Sequence, residues 1–423
     1  MAFAQKFWTN KYILAVIFLF VIGAFLRLYN FQNRMIYGPE QGISFMTSAG
    51  NLSKFSLLGE TNLQRATSDS HIPFHGAYYS YFILPILLIF NFQVLPTSLF
   101  FVFLNLFTAY ILLIVVQKLF GRPLALLSLF FFMLSPIMIH HSLFAWILNP
   151  LPLLGILTLW YMTKLVKNPS VLIPVFLVGL LSGIGFGLQN LYLLFGLFLY
   201  LLILLLAKRK VLVSIVFLLG AIVGNLPMVI FDIRHDFYHV RTMWQYFQDV
   251  YITHTVSGFT DYYHFLYLFP YLFIFYAIIS LIFYRIYKPL IFIPMVIYLL
   301  VSFSSSMVNF KSSTGMPPGI TLASLEDASI IIAKDNPPAK FNVATLWDFD
   351  TRAHPLRYLL EYNHQLKPQP VEVYKDIDAL YVFAPESNDI ENPKVWELQV
   401  FLPYQVIDLN IDNPGYKLYK LIK

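Results

Sequence analysis

Glu40 is the one carboxylate in the first fifty residues, and it stands in Tyr37-Gly38-Pro39-Glu40-Gln41-Gly42, just after the first membrane-length apolar run. A carboxylate held in a partly dry interface can act as a general base toward a hydroxyl. The flanking Gly38, Pro39 and Gly42 equally suit an exposed turn, and spacing alone leaves the two readings even. A second set of reactive types is Phe231-Asp232-Ile233-Arg234-His235-Asp236-Phe237. Here Arg234 and His235 offer a fork of donors and a second cation to a phosphate, with Asp232 orienting one of them. Juxtamembrane anchoring is the plainer alternative. His71 and His75 precede Tyr78 and Tyr79, and His140 and His141 precede Trp146. Four histidines and a carboxylate can hold a divalent metal, but their separations match no compact metal motif, which favours polar helix ends and substrate contacts. Tyr78, Tyr79, Tyr81 and Trp146 belong by default to an aromatic belt.

The elements that must position these groups are membrane helices. With 58% hydrophobic residues and 12% charged residues in a chain of 423, an ordinary soluble fold is excluded. Leu/Ile/Phe-rich runs of about 20 residues predict crossings near 12–29, 97–116, 123–140, 147–163, 171–188, 191–207, 211–230, 265–284 and 289–306. The first run lacks a small-residue cleavage site and reads as a retained helix. The absence of cysteine removes disulfides and thiolate chemistry. The net charge of +6 reflects orientation rather than nucleic-acid binding, since no basic stretch is dense.

The segment 78–92 is apolar too, and charge decides whether it crosses. If it does not, the loops holding Lys118 and Arg122, Lys164 and Lys167, Lys208 to Lys210, and Arg285 and Lys288 share the cytoplasmic side with Lys6 and Lys11. It is therefore expected to lie in the outer interface, as its length of about 15 residues and Pro85 also suggest. Nine crossings then place the amino terminus in the cytoplasm, with the loops 30–96 and 231–264 and everything after 306 outside. Arg234 and Arg241 break the positive-inside pattern, and an anionic ligand would explain them. Gly179, Gly183 and Gly187 read as a packing stripe, and Asn105 and Asn225 as glue between helices.

After residue 306 the long apolar runs stop, and 307–423 reads as a small extracytoplasmic α/β domain beside a membrane domain of 1–306. Leu322 to Ile332 and Leu356 to Tyr362 read as helices, the latter opening at Pro355. Phe341–Leu346, Asp378–Phe383, Trp396–Phe401 and Tyr416–Leu421 read as strands. Asp348, Asp350 and Arg352 form the most polar cluster, best explained as a solvated turn.

Several motifs together resemble the bacterial family 39 glycosyltransferases, GT-C enzymes related to protein O-mannosyltransferases and to the lipid A aminoarabinose transferase. They are Arg27-Leu28-Tyr29-Asn30, Gly38-Pro39-Glu40-Gln41-Gly42, Ser135-Pro136 with His141-Ser142-Leu143-Phe144-Ala145-Trp146, and Phe231-Asp232-Ile233-Arg234-His235. The tail adds Asp350-Thr351-Arg352-Ala353, Leu356-Arg357-Tyr358-Leu359-Leu360, Leu380-Tyr381-Val382 and Leu418-Tyr419-Lys420-Leu421. The resemblance implies a GT-C-like fold that transfers a sugar from a polyprenyl-phosphate donor to a glycan, lipid or protein acceptor outside the cytoplasmic membrane, usually with inversion.

It also implies that Glu40 is the base, at a position where the family more often has Asp. Arg234, His235 and Asp232 would bind the donor phosphate. His71, His75, Tyr78, Tyr79, His141, Trp146 and Asn149 would line the substrate space. The turn 140–150 carries no carboxylate. No P-loop, dinucleotide fingerprint or serine-nucleophile elbow is present to suggest ATP-driven or hydrolytic chemistry. The alternatives are a transporter or flippase for lipid-linked glycans and a non-catalytic membrane assembly partner. The transporter is disfavoured because neither an inverted repeat nor a charge within helices after the first is evident.

Overall fold

The computed structural model describes residues 2–61, 73–255 and 261–423. The chain opens with α1 (Ala2–Leu28), a short α2 (Phe31–Arg34), α3 (Pro39–Gly50), the antiparallel hairpin β1 (Leu58–Thr61) and β2 (Phe74–Gly76), and α4 (Tyr78–Ile89). The apolar bundle follows: α5 (Val94–Phe120), α6 (Arg122–Met133), α7 (Pro136–His141), α8 (Leu151–Lys167), α9 (Leu172–Leu188), α10 (Tyr192–Leu206) and α11 (Lys210–Gly224). Then come α12 (Leu226–Arg234), α13 (Tyr238–Tyr251), α14 (Phe269–Ile286) and α15 (Phe292–Phe303).

Among the described residues, Asn10–Leu28, Val94–Phe120 and Tyr262–Ile286 are long and apolar enough to cross a membrane. The pair α11 and α12 adds a fourth if counted as one span. These helices mark a membrane protein. The remaining bundle helices are shorter or broken. The straight crossing expected at 211–230 is instead bent by 84° between Gly224 and Leu226, because Pro227 in the first turn of α12 cannot continue the α11 hydrogen-bond ladder. Likewise 123–140 divides at Ser135-Pro136, where Ser135 Oγ accepts the Met138 N–H at 3.3 Å and starts a new helix. With 12 residues, α4 is about 18 Å long, short of the ~30 Å hydrocarbon thickness.

Two buried arginines tie α1 to its surroundings. Arg27 donates to Asn105 Oδ1 at 2.9 Å, to Gly23 O at 2.9 Å and to Met133 O at 3.0 Å, so Asn105 does join helices. Arg34 donates to Leu26 O at 2.8 Å and Tyr29 O at 2.9 Å, satisfying carbonyls that the end of α1 leaves without helical partners, and to Asn309 O at 2.7 Å in the segment after α15. The glycine stripe of α9 is a packing device. A Cβ at Gly179 would lie 2.2 Å from Phe217 O and one at Gly183 2.1 Å from Ala221 O, while Gly220 and Gly224 of α11 meet Phe176 O and Leu180 O at 2.2 Å. The backbones of α9 and α11 therefore touch, as small residues permit.

The C-terminal sheet domain holds α16 (Leu322–Lys334), β3 (Phe341–Thr345), α17 (His354–Asn363), β4 (Ala379–Pro385), α18 (Trp396–Gln399), β5 (Gln405–Asp408) and β6 (Tyr416–Ile422). The strand order is β3-β4-β6-β5, with β3 and β4 parallel and the other pairs antiparallel. Both sheet faces are covered. Val343, Tyr381, Phe383 and Leu418 join the core shared with the membrane helices, while Ala344, Leu380, Val382 and Leu421 pack with Leu398 and Phe401 on the other side. That period of two explains the nearly unbroken apolar run of β4.

The strand expected at Trp396–Phe401 is the helix α18 and the turn after it. Leu398 and Phe401, three apart, are the buried pair, whereas Trp396 is exposed, so the burial period is helical. The cluster at Asp348, Asp350 and Arg352 is more than a solvated turn. Asp350 is buried, and its carboxylate accepts the His354 N–H at 2.8 Å and pairs with His354 Nδ1 at 2.9 Å, fixing the start of α17. Burial raises the Asp348 carboxyl to about 7.

Candidate functional site

The loop around Glu40 folds as the first turn of α3. Pro39 occupies the first helical turn, where its missing N–H costs nothing, and Gly38 N–H donates to Gln41 Oε1 at 2.9 Å. Glu40 is exposed at this amino-terminal end, where the helix dipole favours a negative charge. At 3.6 residues per turn, Glu40 and Ser44 lie within about 40° of each other on one face, while Gly42, Phe45 and Ala49 occupy the opposite side. The Ser44 hydroxyl donates to the Glu60 carboxylate, and Ser48 Oγ donates to Ser44 O at 2.6 Å.

Glu60, on β1, is 7% exposed. Burial pushes its carboxyl up to about 8, the Ser44 hydrogen bond acts in the opposite direction, and the nearby charge of Glu40 raises it further. Burial therefore favours the protonated form of Glu60 near neutral pH. Neither Glu60 nor Ser44 stood out in the sequence. The signal that was available is that Glu40, Glu60 and Asp69 are the only acids between residues 30 and 96, with Ser44 one helical turn beyond Glu40.

The β1–β2 hairpin is the hub of the region. Strand β1 packs against α3, α4 and α12 and strand β2 against α9, so the hairpin touches both the Glu40 helix and the helix that ends in Arg234. Aromatic contacts continue this bridge: Phe74 of β2 meets Tyr238 at 6.4 Å between ring centroids, Tyr238 meets Phe231 at 6.3 Å, and Phe231 stacks on His235 at 4.2 Å. Arg234 and His235 are exposed, and His235 Nδ1 lies 2.8 Å from Phe231 O. Asp232 makes a different contact from the one expected. Its Oδ1 accepts the His239 N–H at 2.7 Å, which ties α12 to the start of α13 instead of orienting Arg234 or His235. Along α13, Phe237, Val240, Trp244, Phe247 and Tyr251 form an exposed apolar stripe, with His239, Thr242 and Asp249 buried on the other side.

Of the remaining expected residues, His71 lies outside the described residues. His75 is half-buried on β2, Tyr79 is buried, and the Tyr78 hydroxyl donates to Val223 O at 2.8 Å. His141 is buried and stacked on Trp146, with ring centroids 5.4 Å apart and planes 4° from parallel. Asn149 Nδ2 donates to Phe144 O at 2.6 Å. This turn is fastened to the loop before α3 by Ile36 N–H donating to Leu143 O at 3.3 Å. Among the described residues no three histidine or carboxylate side chains converge on a point that could hold a metal.

No family model and no curated protein matches the chain. Solved structures do. The chain is similar to the crystal structure of ArnT from Cupriavidus metallidurans in the apo state, at 11% identity and a TM-score of 0.49, over 99% of this chain and 98% of that one. It is also similar to ArnT from the same organism bound to undecaprenyl phosphate, at 10% identity and a TM-score of 0.45, over 97% and 98% of the two chains.

Proposed function

We propose that this protein is a membrane glycosyltransferase that uses a polyprenyl-phosphate sugar as donor and works at the outer face of the cytoplasmic membrane. The observation that carries the reading is an exposed Glu40 at a helix amino terminus, with Ser44 one turn further on donating to the buried Glu60. The family resemblance of the surrounding motifs supplies the substrate class. In this reading Glu40 removes the proton from the acceptor hydroxyl as its oxygen attacks the anomeric carbon. The bond to the donor phosphate breaks, and the polyprenyl phosphate departs with the electron pair. Glu60, kept neutral, leaves the site with a single negative charge and does not repel the donor phosphate. Arg234 and His235 meet the growing negative charge on that phosphate, and their elements are joined to α3 through the hairpin.

The test is turnover of radiolabelled undecaprenyl-phosphate sugars by the purified protein. Glu40→Gln is expected to lower transfer by at least the 10²-fold typical of a lost general base, and wild-type turnover in that variant would refute the assignment. The bent pair α11–α12 gives the transporter reading one specific observation, since broken helices line transport sites. Movement of labelled lipid across vesicles without sugar transfer would favour it.

A further inference from the structure

The face of α3 opposite Glu40 is in backbone contact with the C-terminal sheet domain. A Cβ added at Gly42 would stand 2.5 Å from Pro355 N, 2.7 Å from His354 C and 2.9 Å from Pro355 Cα. The contact extends along the helix: Phe45 packs on Tyr358 at 5.4 Å between ring centroids, and the Tyr37 hydroxyl donates to Pro355 O at 3.2 Å. Tyr358 in turn donates to Phe92 O at 2.8 Å, and Phe92 stacks on Tyr362 at 4.9 Å, so α17 is gripped from two membrane-side segments.

The position of its first turn is set within the sheet domain. Thr345 Oγ1, at the end of β3, donates to Asp350 O at 2.8 Å, and the Asp350 carboxylate holds both His354 N–H and Nδ1. The turn residue Ala353 is held at φ +60°, a left-handed conformation that a loop without these bonds would not favour.

We propose that the amino-terminal turn of α17, set by Asp350, acts as the rear wall against which α3 is seated, making Gly42 and Asp350 positioning residues for Glu40. The inference rests on the reading of Glu40 as the base. It gives the C-terminal domain a role in the reaction: α3 is held between the hairpin bearing Glu60 and α17, and its one glycine-thin point lies directly behind the catalytic turn. The other glycine of the helix, Gly50, has nothing within 4 Å of an added Cβ and makes no such contact. The same substitution at the two positions thus separates seating from helix propensity.

Seating a methyl group at Gly42 at an ordinary ~3.5 Å from Pro355 N requires about 1 Å of movement between α3 and α17. A misplacement of that size costs on the order of 10²-fold in rate. The experiment measures kcat and donor KM for undecaprenyl-phosphate sugars with the full-length protein. Gly42→Ala is expected to lower kcat about 10²-fold with donor KM unchanged, while Gly50→Ala turns over as the wild type does. Asp350→Ala should lower kcat in the same way, and Asp350→Asn, which keeps an acceptor for the His354 N–H, should restore much of it.

Wild-type kcat in Gly42→Ala, equal losses in Gly42→Ala and Gly50→Ala, or failure of Asp350→Asn to recover activity would each overturn the proposal. Loss of fold in Gly42→Ala leaves the Asp350 pair to decide. Absence of turnover in the wild type would instead remove the enzymatic reading itself.

Discussion

Replacing Glu60 by Gln tests the buried carboxyl directly, because the change keeps the shape and an acceptor for Ser44 while removing the titration. The Glu60 carboxyl is raised from 4.5 to about 8 in the folded protein, chiefly by burial. A folded-state pKa above the unfolded one means that the folded chain binds the proton more tightly. Its stabilising contribution is complete below pH 4.5 and is lost as pH rises toward 8. At ~1.4 kcal/mol per pH unit the whole window is worth about 5 kcal/mol, of which roughly 4 kcal/mol falls between pH 5 and 8.

Reversible unfolding in mixed micelles, followed by tryptophan fluorescence from pH 5 to 9, should therefore show Glu60→Gln gaining on the wild type by about that amount and levelling off above pH 8. In Glu40→Gln the wild-type break should move to lower pH, since the Glu40 charge is one of the causes raising Glu60. Parallel pH profiles for wild type and Glu60→Gln would mean that Glu60 is ionised in the fold, and the division of roles between the two acids would fail.

Two further outcomes are expected elsewhere. Gly183→Ala places a methyl group 2.1 Å from Ala221 O, and backbone cannot yield as a side chain would, so a loss of about 1–3 kcal/mol in thermal unfolding is expected; unchanged stability would mean that α9 and α11 sit farther apart. The stripe on α13 leaves Trp244 59% exposed, and in bilayers containing brominated lipids Trp244 should contribute a quenched component that is missing from Trp244→Phe. Identical quenching in the two proteins would place α13 away from lipid.

Much of this organisation was readable in the residues because it rests on strong local signals. The apolar runs gave the helices, and Pro355 and the apolar spacing after it gave α17. Residue type and placement beside the apolar runs pointed to Glu40, Arg234 and His141. What escaped notice depends on tertiary surroundings. Glu60 is an unremarkable acid in a polar stretch until the hairpin folds it against Ser44 and out of water. Asp232 looked like a partner for its neighbours Arg234 and His235, but the φ of +57° at Phe237 turns the chain so that the His239 N–H reaches it first. Trp396–Phe401 has strand-forming residues, yet burial of Leu398 and Phe401 on one side selects a helix. The polar run at Asp348 to Arg352 looked like surface because nothing in its spacing reveals that α17 must begin there, against α3.

The glycine contact between α9 and α11 fixes how near the two helices come, but it leaves their vertical alignment open. Glycines repeating every four residues present the same smooth groove after a slide of four residues, about 6 Å. A stop is needed, and Asn225 supplies it. At the 84° bend its amide oxygen would lie 2.8 Å from a Cβ on Gly187 and 3.2 Å from one on Gly76, so the end of α11 abuts both α9 and the hairpin. The bend thus works as a detent: it sets Asn225 against α9 and against β2, the partner strand of the one that carries Glu60.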